Sequence, residues 1–411
     1  MGQDLSWYEQ RFPLIYGLLT TRLRFFLIWL ALLFVVTGYG QYARLLAESE
    51  GLFTKQGPMI GGDFVVFRTA ALVAGTSEMT TIYSLEKFAA MLRAAYPGHG
   101  SMNVGWLYPP TMYLLVKPLS FAPFLGAFAL WVAVFGALFV GTIRSLWSNG
   151  TAMFFAVASP AVLQGIITGQ TGLLTASLIA LSAAYSDTRP LIAGIAAGVL
   201  TVKPQLGLLI PIAFVARGSW RAFAVAAATA VLLAAASVAV FGSEPWRAFV
   251  ESTSAHTARM GGVAHFPFAK LITPFGAARV LGSSSAIATA LQVIASVALA
   301  VYVFLVWRRV DAIDLRLMAL ATASPMATPY AFYYEMAIFV PPMLLLARRA
   351  SETGWLRGER LSLVGLWIAA LWPPGPEAVP AFPVSFAVAL GAFAIAARRT
   401  LPAAGLARFT R

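Results

Sequence analysis

The chain has 411 residues, of which 59% are hydrophobic and only 11% are charged, and its mean hydropathy is +0.78. A soluble domain carries about 25% charged residues, so this composition excludes an ordinary soluble protein and predicts an integral membrane protein. The absence of cysteine excludes disulfides, a thiol nucleophile and cysteine-based metal sites. Most basic residues lie in short loops between apolar runs, so the net charge of +13 predicts positive-inside orientation and no nucleic-acid partner.

Uncharged runs long enough to cross a bilayer, which needs roughly 20 residues, lie at 25–40, 124–143, 222–241 and 284–306. Shorter or interrupted apolar runs complete the pattern, at 151–167, 171–185, 190–202, 204–216, 312–328, 336–347, 361–372 and 380–397. Helix is the expected state, because an open strand leaves backbone groups unpaired in lipid. We therefore predict one all-α polytopic domain over residues 1–411, with about 11–13 transmembrane helices. The first run has no cleavage site after it, so we expect it to remain as an anchor.

The lysines and arginines predict the orientation of these helices. The segments 1–24, 144–150, 186–189, 217–221, 307–316, 348–360 and 398–411 together hold 18 of the 29 basic residues. The opposite side holds nine, spread over the much longer loops 41–107 and 242–283. The positive-inside rule then places both termini in the cytoplasm of a bacterial-type inner membrane and the two long loops outside.

The first outer loop, 41–107, contains amphipathic stretches near 63–74 and 84–95. After it the chain returns towards the membrane at 108–121. This piece is either re-entrant or surface-lying, or it crosses fully, in which case one short segment elsewhere does not cross. A third segment, 325–335, lies at the outer end of a helical hairpin. The two outer loops and this segment are therefore predicted to meet on one face.

Asp63 is the leading candidate for chemistry. It follows two glycines just after the first span, where a carboxylate is costly to bury and is often functional. A lone aspartate can act as a general base when it is held within hydrogen-bond reach of a hydroxyl. It can also serve as the N-cap of a helix that starts near Phe64. The two roles are compatible.

Lys117 and Lys203 lie in apolar sequence with no charged residue within a helical turn. Each can snorkel to an interface or bind an anionic lipid phosphate, and the mid-segment position of Lys203 favours the phosphate. Arg68 follows Asp63 at a spacing that does not favour a salt bridge, so it is a further candidate for the phosphate site. His256, Arg259, His265 and Lys270 form either a phosphate clamp or an ordinary interfacial loop. Their spacing is not a metal signature, so no metal or other cofactor is indicated.

Several polar and aromatic residues are candidates for an acceptor cavity. An aromatic–proline sequence contains Trp106 and Tyr108, and Gln170 follows a glycine, where it can make a polar contact or simply occupy a turn. Tyr330, Tyr333 and Tyr334 can line a cavity or belong to an aromatic belt. Glu335 opens an apolar run, where we expect it to be buried without a partner. Because no P-loop, dinucleotide fingerprint or nucleophile elbow is present, nucleotide-driven and serine-hydrolase chemistry are disfavoured.

Taken together, these motifs resemble glycosyltransferase family 87, within the GT-C superfamily of polytopic transferases that use lipid-linked sugars. The resemblance covers about residues 25–347 and rests on an ordered set of short motifs, each weak alone: Gly62-Asp63-Phe64, Tyr108-Pro109-Pro110 with Pro118-Leu119, Ser159-Pro160, Gly169-Gln170, Gly194 and Gly198 with Lys203-Pro204, and Thr328-Pro329-Tyr330 with Tyr334-Glu335.

The resemblance implies a GT-C-type bundle and an inverting transfer of mannose or another hexose on the extracytoplasmic face. The donor would be a polyprenyl-phosphate sugar and the acceptor a lipid or glycan hydroxyl, as in the family's polyprenol-phosphate-mannose-dependent members. The family's catalytic aspartate corresponds to Asp63. One departure concerns the late motif, which usually reads Tyr-Asp or carries a histidine and here reads Tyr334-Glu335.

Three other functions compete with this interpretation. Short helices interrupted by glycine and proline at 190–216, with an intramembrane lysine, are also found in lipid transporters and flippases. The long first outer loop with its boundary aspartate favours a transferase instead. A noncatalytic membrane scaffold would need neither Asp63 nor Lys203. A closer alternative is a transferase of another sugar, or of a modified pentose, to lipid A-like or polysaccharide acceptors.

Overall fold

The computed structural model describes residues 11, 23–97, 105–260, 266–370 and 382–406, with the side chains of 23–24 and 256–260 left out of the description. Across these ranges the chain is helical, and its β-type backbone contacts are isolated bridges such as that between Leu271 and Phe332. Within these ranges, five helices are long and apolar enough to cross a membrane, or six if one bent pair forms a single span. The predicted all-α polytopic class is therefore confirmed.

We number the α-helices in chain order: α1 Leu23–Phe34, α2 Gly40–Ala47, α3 Phe64–Val73, α4 Leu85–Ala95, α5 Thr111–Val116, α6 Phe124–Leu146, α7 Gly150–Val157, α8 Pro160–Thr168, α9 Gly172–Ala184, α10 Pro190–Val199, α11 Ile210–Arg217, α12 Trp220–Phe241, α13 Glu244–Met260, α14 Pro274–Val280, α15 Ser285–Arg309, α16 Ile313–Ala323, α17 Val340–Thr353, α18 Glu359–Ala369 and α19 Val384–Ala403. Shorter 3-10 helices are Ser77–Tyr83, Lys117–Phe121, Leu200–Val202, Pro204–Leu206, Phe268–Lys270, Ser324–Met326 and Tyr333–Phe339.

The candidate spans follow the uncharged runs of the sequence closely. They are Phe25–Ala47, Phe124–Leu146, Trp220–Phe241, Ser285–Arg309 and Val384–Ala403, and the bent pair is α7 with α8, which meet at 45°. Each span satisfies its backbone hydrogen bonds internally, as a lipid environment requires. Other apolar helices, including α9 and α10, are shorter, so the count of about 11–13 crossings remains a prediction.

The first outer loop folds into helices where amphipathic stretches were predicted. Helix α4 has one buried face, formed by Phe88, Ala89 and Leu92, and is amphipathic as expected. For α3 the expectation is wrong, because every residue from Phe64 to Ala71 is buried. Helix α3 is enclosed because the returning chain packs on it, with Lys117 Nζ donating to Ala74 O at 2.6 Å.

The return at 108–121 is short. It consists of α5, with six residues, and a 3-10 helix of five residues. Together they rise about 19 Å, which is less than the roughly 30 Å of a hydrocarbon core. Arg68 Nη2 donates to Ala122 O at 2.8 Å, while Lys117 bonds to Ala74, so this return runs antiparallel to α3. Of the two alternatives for 108–121, this geometry favours a re-entrant or surface-lying piece over an upright crossing.

Helices α10 and α11 form a hairpin that breaks at Lys203. The backbone there adopts φ −139° and ψ 66° between two 3-10 turns, because Pro204 cannot continue a helix. Helix α10 packs closely on α12 through glycines: a Cβ on Gly194 or Gly198 would lie well under 3.0 Å from atoms of α12. Such small residues permit close approach of helices in lipid, as the sequence indicated.

Both ends of this hairpin lie beside one cluster of ion pairs. Arg217 bonds Asp187 at 3.2 Å and Asp311 at 2.8 Å, and the buried Arg316 bonds Asp187 at 2.6 Å. Nearby predicted loops carry two further pairs, Asp314 with Arg349 at 2.7 Å and Glu359 with Arg399 at 2.6 Å. We call the surface formed by segments 186–189, 217–221, 307–316 and 348–360 the arginine-rich face. Its assignment to the cytoplasm remains a prediction.

Candidate functional site

We call the level of the molecule that contains Asp63, Gln170, Lys203 and Glu335 the site layer. It lies at the opposite end of α9 from the arginine-rich face. Helix α9 begins at Gly172 and has 13 residues, so its two ends are about 20 Å apart. Asp187 follows its far end. At the near end, breaks in three helical segments come together: the α8–α9 turn, the Lys203 break and the irregular segment 324–339 that follows α16.

Asp63 is presented at the start of α3 by a tight glycine turn. Gly61 and Gly62 have φ of +76° and +49°, values that favour glycine over residues with a side chain. The Asp63 backbone N–H donates to Thr168 O at 2.9 Å, which holds the turn against the end of α8. The Asp63 side chain itself makes no capping bond. The side-chain N-cap role is therefore wrong, because Asp63 already has helical dihedrals, φ −70° and ψ −4°, instead of the extended conformation of a typical N-cap.

Gln170 orients the Asp63 carboxylate. Its Nε2 donates to Asp63 Oδ2 at 2.8 Å, and its Oε1 accepts from the Tyr108 hydroxyl at 3.2 Å. The preceding Gly169 terminates α8 in the left-handed conformation, with φ +60°. A Cβ at this glycine would lie well under 3.0 Å from Gly61 O, so only glycine lets the two turns pack this closely. Gln170 thus makes a polar contact beyond its place in the turn.

Lys203 and Glu335 form a buried ion pair through Lys203 Nζ and Glu335 Oε1. The ammonium also donates to Thr171 Oγ1 at 3.1 Å, and Thr175 Oγ1 donates to Glu335 Oε2 at 2.6 Å. The expectation that Glu335 is buried without a partner is wrong. A carboxylate that is 0% exposed would be very costly alone, and the lysine that compensates it comes from a distant hairpin.

Aromatic rings join the ion pair to the Asp63 side of the layer. Lys203 Nζ lies 5.6 Å from the centre of the Tyr108 ring and 5.1 Å from that of Tyr334. Both distances permit cation–π attraction. Trp106 is almost fully buried and packs on Tyr108 with ring centres 5.0 Å apart. Trp106 therefore packs against the Tyr108 ring and helps to hold it in place.

Tyr330 and Tyr333 lie near Asp63, in the segment between α16 and α17. Burial and, to a smaller extent, the negative charge of Asp63 raise the pKa of Tyr333 to about 12. Burial and the charges of Tyr108 and Asp63 raise the pKa of Tyr330 in the same direction. Both phenols therefore stay protonated near neutral pH, where a phenol can donate a hydrogen bond.

The end of the second outer loop meets the same aromatic segment, as predicted. Ile272 N donates to Ala331 O at 2.9 Å, and Leu271 forms a bridge with Phe332. Lys270 precedes this contact and is half-buried. His265 and the side chains of His256 and Arg259 lie outside the described residues.

Arg68 and Lys117 are directed away from Asp63. A separation of five residues turns a side chain by about 140° around a helix, and Arg68 reaches the carbonyl of Ala122 instead. Lys117 bonds the carbonyl at the end of α3. The structure therefore gathers Asp63, Tyr108, Gln170, Lys203 and Glu335 but places these two cations on the other side of α3.

The sequence interpretation missed Thr171 and Thr175. They lie four residues apart on the first turn of α9 and contact Lys203 and Glu335. The only signal was the adjacency of Thr171 to Gln170. Among the described residues, no three histidine or acidic side chains are placed to hold a metal ion.

A family model, Glycosyltransferase family 87, matches residues 106–329, which is more than half of the chain. The chain therefore belongs to glycosyltransferase family 87, and it is a multi-pass membrane glycosyltransferase. The match includes Tyr108, Gln170 and Lys203, whereas Asp63 and Glu335 lie outside it. No curated protein matches the chain. No solved structure matches it either.

Proposed function

We propose that this glycosyltransferase moves a sugar, mannose or another hexose, from a polyprenyl-phosphate donor to a lipid or glycan hydroxyl on the extracytoplasmic face, with Asp63 as the general base. The observation that carries the proposal is the Asp63 carboxylate, half-buried at the site layer and held by Gln170 at 2.8 Å. The family resemblance supports the donor class, and the charge asymmetry of the loops supports the side of the membrane.

In the proposed reaction the acceptor hydroxyl approaches Asp63, which takes its proton as the oxygen attacks the anomeric carbon. The new carbon–oxygen bond forms while the bond from that carbon to the phosphate oxygen breaks, and polyprenyl phosphate leaves with the electron pair. Attack from the face opposite the leaving group inverts the anomeric configuration. A positioned general base contributes typically 10²–10⁴-fold to such a step.

The leaving phosphate needs a cation, because its charge develops as the bond breaks. Lys203 is neutralised by Glu335, while Arg68 and Lys117 donate to carbonyls on the other side of α3. Lys270 directly precedes Leu271, which forms a bridge with Phe332 in the aromatic segment near Asp63, and this position favours Lys270 for the phosphate. We therefore propose that Lys203 holds the rings of Tyr108 and Tyr334 in position.

The test is transfer by the purified full-length protein from a panel of polyprenyl-phosphate sugars. Asp63→Asn is expected to lower turnover by about 10²–10⁴-fold. The matched control is Asp311→Asn, the same change at a carboxylate that is 91% exposed on the arginine-rich face. Comparable turnover in the two variants would remove Asp63 as the base.

Two further readouts separate the alternatives. Nuclear magnetic resonance of the product gives its anomeric configuration, and retention would contradict the inverting mechanism. A lipid transporter or flippase would move the intact donor across vesicles without consuming it. Transport without donor consumption would therefore replace the transferase proposal for this chain.

A further inference from the structure

A second binding site lies away from Asp63, in a cavity of about 600 Å³ between α1, α7, α17, α18 and α19. Its volume is within the roughly 300–1,000 Å³ of typical small-molecule sites. Its wall is largely apolar, with residues such as Leu30, Phe155 and Met343. We call it the α17–α18 cavity. Asp63 and Lys203 do not line it.

One end of the α17–α18 cavity opens at the arginine-rich face. Trp147, Asn149, Trp355 and Arg360 line that end: the first three come from the segments that join α6 to α7 and α17 to α18, and Arg360 is the second residue of α18. The Arg360 guanidinium lies 4.9 Å from the centre of the Trp355 ring. Tryptophan and arginine at the rim of an apolar cavity are the combination that membrane proteins use at lipid head groups.

The cavity has the depth of a single lipid leaflet. Its lining residues on α17 run from Val340 to Ser351, a rise of about 16 Å at 1.5 Å per residue. Half of a hydrocarbon core measures about 15 Å. A lipid with its head group at Arg360 would therefore place its chain along the full length of the cavity.

We propose that the α17–α18 cavity binds an anionic glycerophospholipid from the leaflet on the arginine-rich side. Its phosphate lies at Arg360, and an acyl chain fills the apolar part. The donor of the transfer reaction fits this cavity poorly. A phosphate at Arg360 lies at the arginine-rich face, far from the site layer that contains Asp63.

The experiment uses the full-length protein in mild detergent and native mass spectrometry, with dioleoylphosphatidylglycerol as the probe and dioleoylphosphatidylcholine as the neutral comparison. The wild type is expected to retain dioleoylphosphatidylglycerol more strongly than dioleoylphosphatidylcholine. Arg360→Ala should weaken it about fivefold, the factor that corresponds to roughly 1 kcal/mol per basic residue at an anionic head group. Arg308→Ala removes an exposed arginine outside the cavity and should change nothing.

A second variant tests the cavity itself. Ala347 lines the α17–α18 cavity, so Ala347→Trp fills it and should abolish retention of both lipids.

Three results would overturn the proposal: equal retention of the anionic and neutral lipids, retention unaffected by Arg360→Ala, or displacement of phosphatidylglycerol by polyprenyl phosphate. The last would identify the cavity as a site for the transfer donor. Because lipid retention is measured without turnover, the outcome does not depend on the role proposed for Asp63.

Discussion

Lys203 and Glu335 are 132 residues apart in the chain, yet they form the buried ion pair at the centre of the site layer. The lysine occupies the break of a helical hairpin, and the glutamate lies in the first turn of the 3-10 helix Tyr333–Phe339. Two threonines of α9 satisfy the remaining polar atoms of the pair. The pair thus holds three separate segments together at the level of Asp63.

Removing one member of this pair should destabilise the protein strongly. Lys203→Met leaves a buried carboxylate uncompensated, and breaking such a pair typically costs about 3–5 kcal/mol. Glu335→Leu should do the same by stranding the lysine. The double variant should be more stable than either single variant, because neither charge is then left alone. Thermal unfolding in detergent, followed by tryptophan fluorescence, measures all three, and simple additivity of the two losses would argue against the pair.

Gln170→Ala should reduce turnover with little effect on folding. The substitution removes the bond of 2.8 Å that orients the Asp63 carboxylate, and a hydrogen bond to a charged group is worth about 1.5–3 kcal/mol, or roughly 10–100-fold in rate. The matched control is Gln164→Ala, six residues earlier in the chain and within α8, where the side chain bonds Ala370 O at 3.2 Å. Initial rates of sugar transfer check the prediction, and equal rates in both variants would contradict it.

Much of the fold could be predicted because lipid imposes simple rules. The lengths of the apolar runs predicted the positions of the spans. The arginine-rich loops, which the sequence predicts to lie on one side, do meet, since Arg217 bonds Asp187 and Asp311 from two other such loops. The sequence also identified three candidate site residues, because each is an ionisable residue in or beside an apolar run: Asp63, Lys203 and Glu335. The pairing of Lys203 with Glu335 was not visible, because no local pattern relates residues so far apart. Arg68 was misplaced for a geometric reason, since its spacing from Asp63 sends the two side chains around different sides of one helix.

The Asp187 cluster should make stability depend on pH in the acid range. Burial alone would raise the pKa of Asp187, but the guanidinium groups of Arg316 and Arg217 outweigh it and hold the pKa below its ordinary value. Because the pKa is lowered in the folded state, the stability that this carboxylate contributes is complete above its ordinary pKa of 3.8 and is lost as pH falls through the folded-state pKa.

Asp187→Asn is therefore expected to be less stable than the wild type near neutral pH, with the difference shrinking below about pH 4. Unfolding temperatures measured across that range for both proteins test this. Asp311→Asn is the control, because its carboxylate also bonds Arg217 but is 91% exposed. A constant gap between Asp187→Asn and the wild type at every pH would show that the aspartate acts through shape alone.

Gly172→Ala should disturb the site layer from within. A Cβ at Gly172 would lie well under 3.0 Å from the backbone oxygen of Tyr334, so either α9 or the segment that carries Glu335 must shift. We expect lower thermal stability and slower transfer together. Gly165→Ala is the matched control in α8, where the nearest atom is 3.7 Å away and alanine favours the helix by up to about 1 kcal/mol. If Gly172→Ala were as stable and active as Gly165→Ala, the close packing of α9 on Tyr334 would not be needed to hold the ion pair in place.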